Sequence, residues 1–138
     1  MNNSRGKILW VDDEIDHLKP HILFLEDKGF SISTATNGAD AVTMVEENNF
    51  QLILMDQFMP GQDGIQTIQE FTELRPNLPV IMITKSEEEW LMDEAISQKI
   101  SQFLIKPVSP SQIFMACKQV LENYKIREEK ITRGYLKE

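Results

Sequence analysis

Short apolar runs alternate along the chain with longer stretches in which apolar residues recur every three or four positions. "KILWV" (7–11), "SISTA" (31–35), "QLILM" (51–55), "PVIMI" (79–83) and "QFLI" (102–105) have the length of strands. The first, third and fourth are apolar at nearly every position, which predicts parallel strands covered on both faces. "SISTA" alternates instead and predicts an edge strand. Between these runs Ile15, Leu18, Ile22 and Leu25 mark one helix face, and Ala41, Met44 and Val45 a second. Ile65, Ile68, Phe71 and Leu74 mark a third, and Leu91, Ala95 and Ile96 a fourth. The last is marked by Ile113, Ala116, Cys117, Val120, Leu121 and Tyr124. Five consecutive strand–helix units require a parallel sheet with helices on both faces and right-handed crossovers. At 138 residues the expected solution is a doubly wound sheet of order 2-1-3-4-5. Its site lies where the winding reverses, at the carboxyl ends of strands 1 and 3.

The punctuation agrees. Lys28-Gly29 stops the first helix, Asn37-Gly38 opens the second, and Ser109-Pro110 primes the last. Pro20 conflicts with its surroundings, because inside a helix it would remove the bond to the Asp16 carbonyl and crowd it. A late helix start near Asp16, or a distorted first turn, is expected.

The strand ends carry the chemistry. Strand 1 runs into Asp12 and Asp13, strand 3 into Asp56, strand 4 into Thr84, and strand 5 into Lys106-Pro107. Since strands 1, 3, 4 and 5 are neighbours in the expected order, all five side chains converge on one crevice. Two carboxylates about 4 Å apart repel by ~4 kcal/mol at an effective dielectric of ~20. A cluster of three therefore needs either a protonated member or a cation. Hard oxygen ligands in a small, partly hydrated site suit Mg²⁺ or Mn²⁺. A divalent cation, a lysine and a hydroxyl together are suited to receive a phosphoryl group. The natural acceptor is a carboxylate, and Asp56, central and followed by a turn at Met59-Pro60, is the candidate.

Charge and composition narrow the partners. The formal net charge is −8 with 41% hydrophobic residues, and no basic patch stands out, which argues against nucleic-acid or anionic-membrane binding. No apolar stretch approaches membrane-spanning length, and the single cysteine, Cys117, reads as a packed helical thiol in a reducing compartment. A cytoplasmic protein is expected. His17 and His21 stand at i, i+4 and could hold Zn²⁺ on a helix. The intervening Pro20 and the lack of a third ligand favour a surface or partner-facing role instead.

"KILWVDDE", "LILMDQFMPGQDG", "PVIMIT" and "FLIKP", in this order and spacing, make the chain resemble response-regulator receiver domains over roughly residues 6–124. That resemblance implies the CheY-like version of the flavodoxin-like fold. It implies that Asp56 accepts phosphate from a histidine kinase or a small phosphodonor. Asp13 and Asp56 would bind Mg²⁺ directly with the backbone carbonyl of Phe58, and Asp12 mainly through water. Thr84 and Lys106 would contact phosphoryl oxygens, Lys106-Pro107 would be cis, and Phe103 would be the switch aromatic. Signalling would run through the face made by the fourth helix, fifth strand and fifth helix, with homodimerisation on phosphorylation. A narrower resemblance, in "KILWVDDEIDHLKPHILFLEDKG" and "MITKSEEE", is to the receivers of type IX secretion regulators of Bacteroidota that carry a PglZ, alkaline-phosphatase-like output domain. On that reading residues 1–124 are the receiver, and 125–138 are a helical linker toward an output domain.

The sequence departs from the family pattern at several points. Lys85 replaces a small residue after Thr84 and is expected to narrow the approach to Asp56. Lys99-Ile100 replaces a small pair before the fifth strand. Phe58 is apolar where a polar residue could position an attacking water, which predicts slow loss of phosphate. Trp90 falls on the helix of the expected dimer face, and Glu87–Glu89 suit its N-terminus. Competing readings are a phosphorylation-independent interaction module, a Mg²⁺-dependent phosphatase with an aspartyl nucleophile, and a flavin binder. The intact Asp, Thr and Lys set weighs against the first. Phe58 stands where the second would want another acid, and the acidic "VDDE" loop would repel the phosphate of the third.

Overall fold

A computed structural model describes residues 5–56, 64–85 and 99–137, with side chains through 125. Five parallel strands, β1 (Gly6–Val11), β2 (Phe30–Ala35), β3 (Leu52–Asp56), β4 (Val80–Thr84) and β5 (Gln102–Ile105), form one sheet in the order β2-β1-β3-β4-β5. The expected doubly wound topology is therefore present, with "SISTA" on an edge. Helices α1 (Lys19–Asp27), α2 (Gly38–Glu47), α3 (Gly64–Leu74) and a C-terminal helix (Pro110–Lys137) pack around it. The helix predicted around Leu91, Ala95 and Ile96, with Trp90 and Glu87–Glu89, lies outside the described residues, as do Phe58 and Met59-Pro60.

The apolar runs behave as their patterns require. All of β3 and β4 is buried, as is β1 from Ile8 to Val11. Successive side chains then divide between two cores. Leu9, Val11, Ile53, Met55 and Met82 meet α2 and α3 through Ala41, Val45, Ile68 and Phe71. Ile8, Trp10, Leu52, Leu54 and Ile81 meet α1 and the C-terminal helix through Leu25, Ile113, Cys117 and Val120. Cys117 is fully buried and its thiol is pushed up to about 12 by burial, so it is inert packing, as expected. One position on a predicted apolar face does not follow: Ile65 is 39% exposed, because the buried stripe of α3 runs through Gly64, Thr67, Ile68 and Phe71 and leaves Ile65 at its edge.

Local signals act where they were expected. A 3-10 turn over Ile15–Leu18 precedes α1, which starts at Lys19 with Pro20 in its first turn, so the missing N–H is one that a helix start leaves unpaired anyway. Gly29 closes this helix at φ 101°, a left-handed conformation suited to glycine. The Asn37 side chain accepts from the Asp40 N–H at 2.8 Å and caps α2. Ser109 and Gln112 exchange hydrogen bonds at the start of the C-terminal helix, Ser109 N–H to Gln112 Oε1 at 2.8 Å and Gln112 N–H to Ser109 Oγ at 3.2 Å. That helix runs unbroken to Lys137, past the span expected for the domain.

Candidate functional site

The strand register assembles the site one step at a time. Val11 pairs with Met55, so the next residues, Asp12 and Asp56, leave the sheet side by side. Asp56 pairs with Ile83, which sets Thr84 beside it, and Thr84 pairs with Ile105, which hands the chain to Lys106. The Lys106 N–H donates to the Thr84 carbonyl at 2.8 Å, and the Lys106-Pro107 bond is cis. The crevice expected at the carboxyl ends is thus built by register, with Asp12, Asp56 and Thr84 all buried.

Lys106 Nζ lies 2.7 Å from Asp56 Oδ1, an ion pair whose carboxylate side is 4% exposed and whose lysine side is 32% exposed. Asp12, Asp13 and Asp56 each offer a carboxylate oxygen within 4.8 Å of the others, with Asp13 exposed and the other two buried. Asp12 Oδ1 accepts from the Glu14 N–H at 2.8 Å, an Asx-type turn that bends the chain away from β1 and holds the carboxylate at the rim. Burial, then the neighbouring charges of Asp56 and Asp13, push the Asp12 carboxyl from 3.8 up to about 6, against the opposing effects of the Glu14 N–H and Lys106. Among the described residues, Lys106 Nζ pairs with one of these three carboxylates, Asp56. The donor set is all hard oxygen, open on the Asp13 side and short of positive charge. These residues therefore fit a small, partly hydrated divalent cation such as Mg²⁺.

Other sequence-derived candidates fall in different places. Phe103 is half-buried on β5, paired with Met82, and packs against the α2–α3 core. Lys85 is exposed at the end of β4, directly after buried Thr84. The Phe58 carbonyl lies outside the described residues. His17 and His21 do not form a ligand pair. His17 sits exposed on the 3-10 turn, with Nδ1 3.8 Å from Glu14 Oε2, while His21 on α1 is bonded through Nε2 to the Val108 carbonyl at 3.0 Å. His21 is half-buried rather than a surface residue, because the connector after β5 folds over α1. The i, i+4 spacing said nothing of this contact, whose partner is a backbone carbonyl far along the chain.

A central buried acid flanked by carboxylates lies at the switch point of this doubly wound sheet. Residues 8–118 match the response regulator receiver domain family, and the chain belongs to that family. It is similar to the transcriptional regulatory protein ResD of Bacillus subtilis strain 168, 34% identical over 118 residues that make up 86% of this chain and 49% of that protein. It is also similar to the transcriptional regulatory protein ZraR of Klebsiella oxytoca, 30% identical over 132 residues, 96% of this chain and 30% of that one. The chain thus spans half or less of these curated relatives' length. Among solved structures it resembles the CheY-like receiver domain protein of Methanospirillum hungatei JF-1, with TM-score 0.81 and 25% identity over 90% of this chain and 99% of that one. NtrX of Brucella abortus is similar with TM-score 0.82 and 27% identity, over 92% of this chain and 29% of that one.

Proposed function

We propose that the chain is a phosphorylation switch in which Asp56 accepts a phosphoryl group from a histidine kinase or a small phosphodonor. The observation that carries this is the 2.7 Å contact of Lys106 with a buried carboxylate that has two further acids beside it. An Asp56 carboxylate oxygen attacks phosphorus, and the bond from phosphorus to imidazole nitrogen, or to the acetate oxygen of acetyl phosphate, breaks. The leaving group departs with the electron pair, and imidazole takes a proton. Lys106 passes from the carboxylate to a phosphoryl oxygen, so its charge follows the charge that moves. Asp12, Asp13, Asp56 and the Phe58 carbonyl would hold Mg²⁺ or Mn²⁺, which when bound neutralises the carboxylates and the incoming phosphoryl oxygens. The buried Thr84 hydroxyl turns to the phosphoryl group, and Phe103 moves inward into the space this opens.

The change reaches the face of β5, the C-terminal helix and the segment before β5, where it favours a homodimer. The switch is a shift between two packings rather than a new fold. Lys85 narrows the entrance, and apolar Phe58 slows water attack, so the phosphate is retained. Residues 1–124 act as the receiver, and 125–138 serve as a linker toward an output domain. The narrower reading is a PorX-type regulator with a PglZ output domain serving type IX secretion, working in the cytoplasm without nucleic-acid or membrane contact through this domain. It is supported by the "VDDEIDHLKPHILFLEDKG" and "MITKSEEE" segments. Beryllofluoride with Mg²⁺, followed by sedimentation, tests the switch. A dimer that forms with both reagents and not in an Asp56→Asn variant supports it, and an unchanged monomer with saturated Asp56 refutes the dimer step.

A further inference from the structure

The connector from β5 to the C-terminal helix carries Lys106, and four residues, Lys106 to Ser109, make it up. Pro107 has no N–H to donate, so the segment depends on few anchors. The Lys106 N–H holds the Thr84 carbonyl at 2.8 Å, and the Ser109 N–H holds Gln112 Oε1 at 2.8 Å. Between them the Val108 carbonyl is held by His21 Nε2 of α1 at 3.0 Å. Because a carbonyl only accepts, Nε2 must donate.

His21 is itself fixed from below. Its ring meets Trp10 edge to face, with centroids 6.3 Å apart and an interplanar angle of 86°. Trp10 is 1% exposed and lies on β1, two residues before Asp12. Trp10 Nε1 and His21 Nδ1 are the buried side-chain nitrogens without a hydrogen-bond partner among the described residues. A chain of contacts thus runs from the strand that supplies Asp12, through Trp10 and His21, to the residue two places after Lys106.

We propose that His21 is a positioning residue for phosphoryl transfer: braced on Trp10, it holds the Val108 carbonyl so that Lys106 Nζ stays within reach of Asp56. The inference rests on Asp56 being the phosphoacceptor. Lys106 acts through a long, flexible side chain, so a small displacement of its backbone is enough to misplace the ammonium relative to a phosphoryl oxygen. Asp12 and Asp13 hang from β1 and do not depend on this connector. The lysine meets the cation site only at Asp56, so displacing it leaves the Asp12 and Asp13 carboxylates in place and should not weaken Mg²⁺ binding, whereas a general structural role for His21 would weaken both.

The test compares His21→Phe, which keeps a ring against Trp10 but loses the donor, with His21→Gln, whose amide nitrogen can replace Nε2. For each, the saturating rate of Asp56 phosphorylation by acetyl phosphate and the Mg²⁺ dissociation constant are measured. The expected result is a rate lower by roughly three- to tenfold in His21→Phe, the worth of one hydrogen bond, with Mg²⁺ binding not weakened and most of the rate recovered in His21→Gln. A wild-type rate in His21→Phe overturns the proposal, as does an equal loss of rate and Mg²⁺ affinity, or a folded His21→Gln that recovers nothing. Amide hydrogen exchange at Lys106 reads the connector without any phosphorylation. It should quicken severalfold in His21→Phe, and unchanged exchange overturns the proposal too. Absence of any adduct in the wild type would refute the phosphoacceptor reading instead, leaving the exchange result to decide the role of His21 in holding the connector.

Discussion

Replacing Asp12 by Asn removes the most strained charge in the site. Its carboxyl is pushed from 3.8 up to about 6, chiefly by burial and then by Asp56 and Asp13. Between about pH 4 and pH 6 the folded state therefore holds a proton that the unfolded chain releases, and stability falls as pH rises through that window. Above it the full penalty remains. The difference from 3.8 to about 6 corresponds to about 3 kcal/mol, reduced to about 2 kcal/mol for a carboxylate at the rim of an open crevice. Asn keeps an oxygen for the Glu14 N–H at 2.8 Å, so the turn survives the change. Without divalent ions, Asp12→Asn is expected to be more stable than wild type by about 2 kcal/mol at pH 8 and equal to it near pH 4. Urea unfolding across that range measures the difference between the two proteins, in which titrating groups distant from the site cancel. Added Mg²⁺ should stabilise the wild type at pH 8, lose its effect as pH falls below 6, and stabilise the variant less. A variant less stable than wild type at pH 8 without Mg²⁺, or a difference that does not change with pH, would refute the reasoning.

Other consequences follow from the same geometry. Lys106→Met leaves the buried Asp56 carboxylate without its ion-pair partner and should cost about 1–3 kcal/mol in divalent-free buffer, discounted because the lysine is 32% exposed. Mg²⁺ should recover more stability in that variant than in wild type, and an equal recovery would contradict the pairing. A Cβ at Gly38 would run into Thr67 Oγ1 and lie 3.3 Å from the Thr67 Cβ, so Gly38→Ala should lower stability by about 1–2 kcal/mol despite better helix propensity. The cost should shrink in a Thr67→Ala background, measured by a double-mutant cycle. Lys85→Ala should speed both phosphorylation and phosphate loss at Asp56; rates unchanged in both directions would dispose of the idea that this side chain narrows the entrance.

The sheet was readable because parallel strands buried on both faces must be apolar at every position, as "LILM" is, while edge strand β2 can alternate. The gathering of Asp12, Asp56, Thr84 and Lys106 was readable for a related reason: once strand order is known, register carries the last residue of each strand to one edge. What the pattern missed was set by contacts between segments far apart in sequence. Ile65 fits the apolar face of α3 by spacing but is 39% exposed, since the buried stripe is centred on Gly64, Thr67, Ile68 and Phe71, and its glycine and threonine are not marked by hydrophobicity. His21 looked like half of a surface pair, yet its partner is the Val108 carbonyl, which no side-chain pattern marks. Thr67 is fully buried on α3 where Gly38 of α2 comes close, a packing of a polar residue that polarity alone places outside.

The most direct measurement is the covalent state of Asp56. Incubation with acetyl phosphate and Mg²⁺, followed by intact-mass analysis and peptide mapping, is expected to show one added phosphoryl group on Asp56. The adduct should be abolished by chelating the metal and by Asp56→Asn, and strongly reduced by Lys106→Met. No Mg²⁺-dependent adduct at Asp56, or an adduct that survives Asp56→Asn, would contradict the phosphorylation switch.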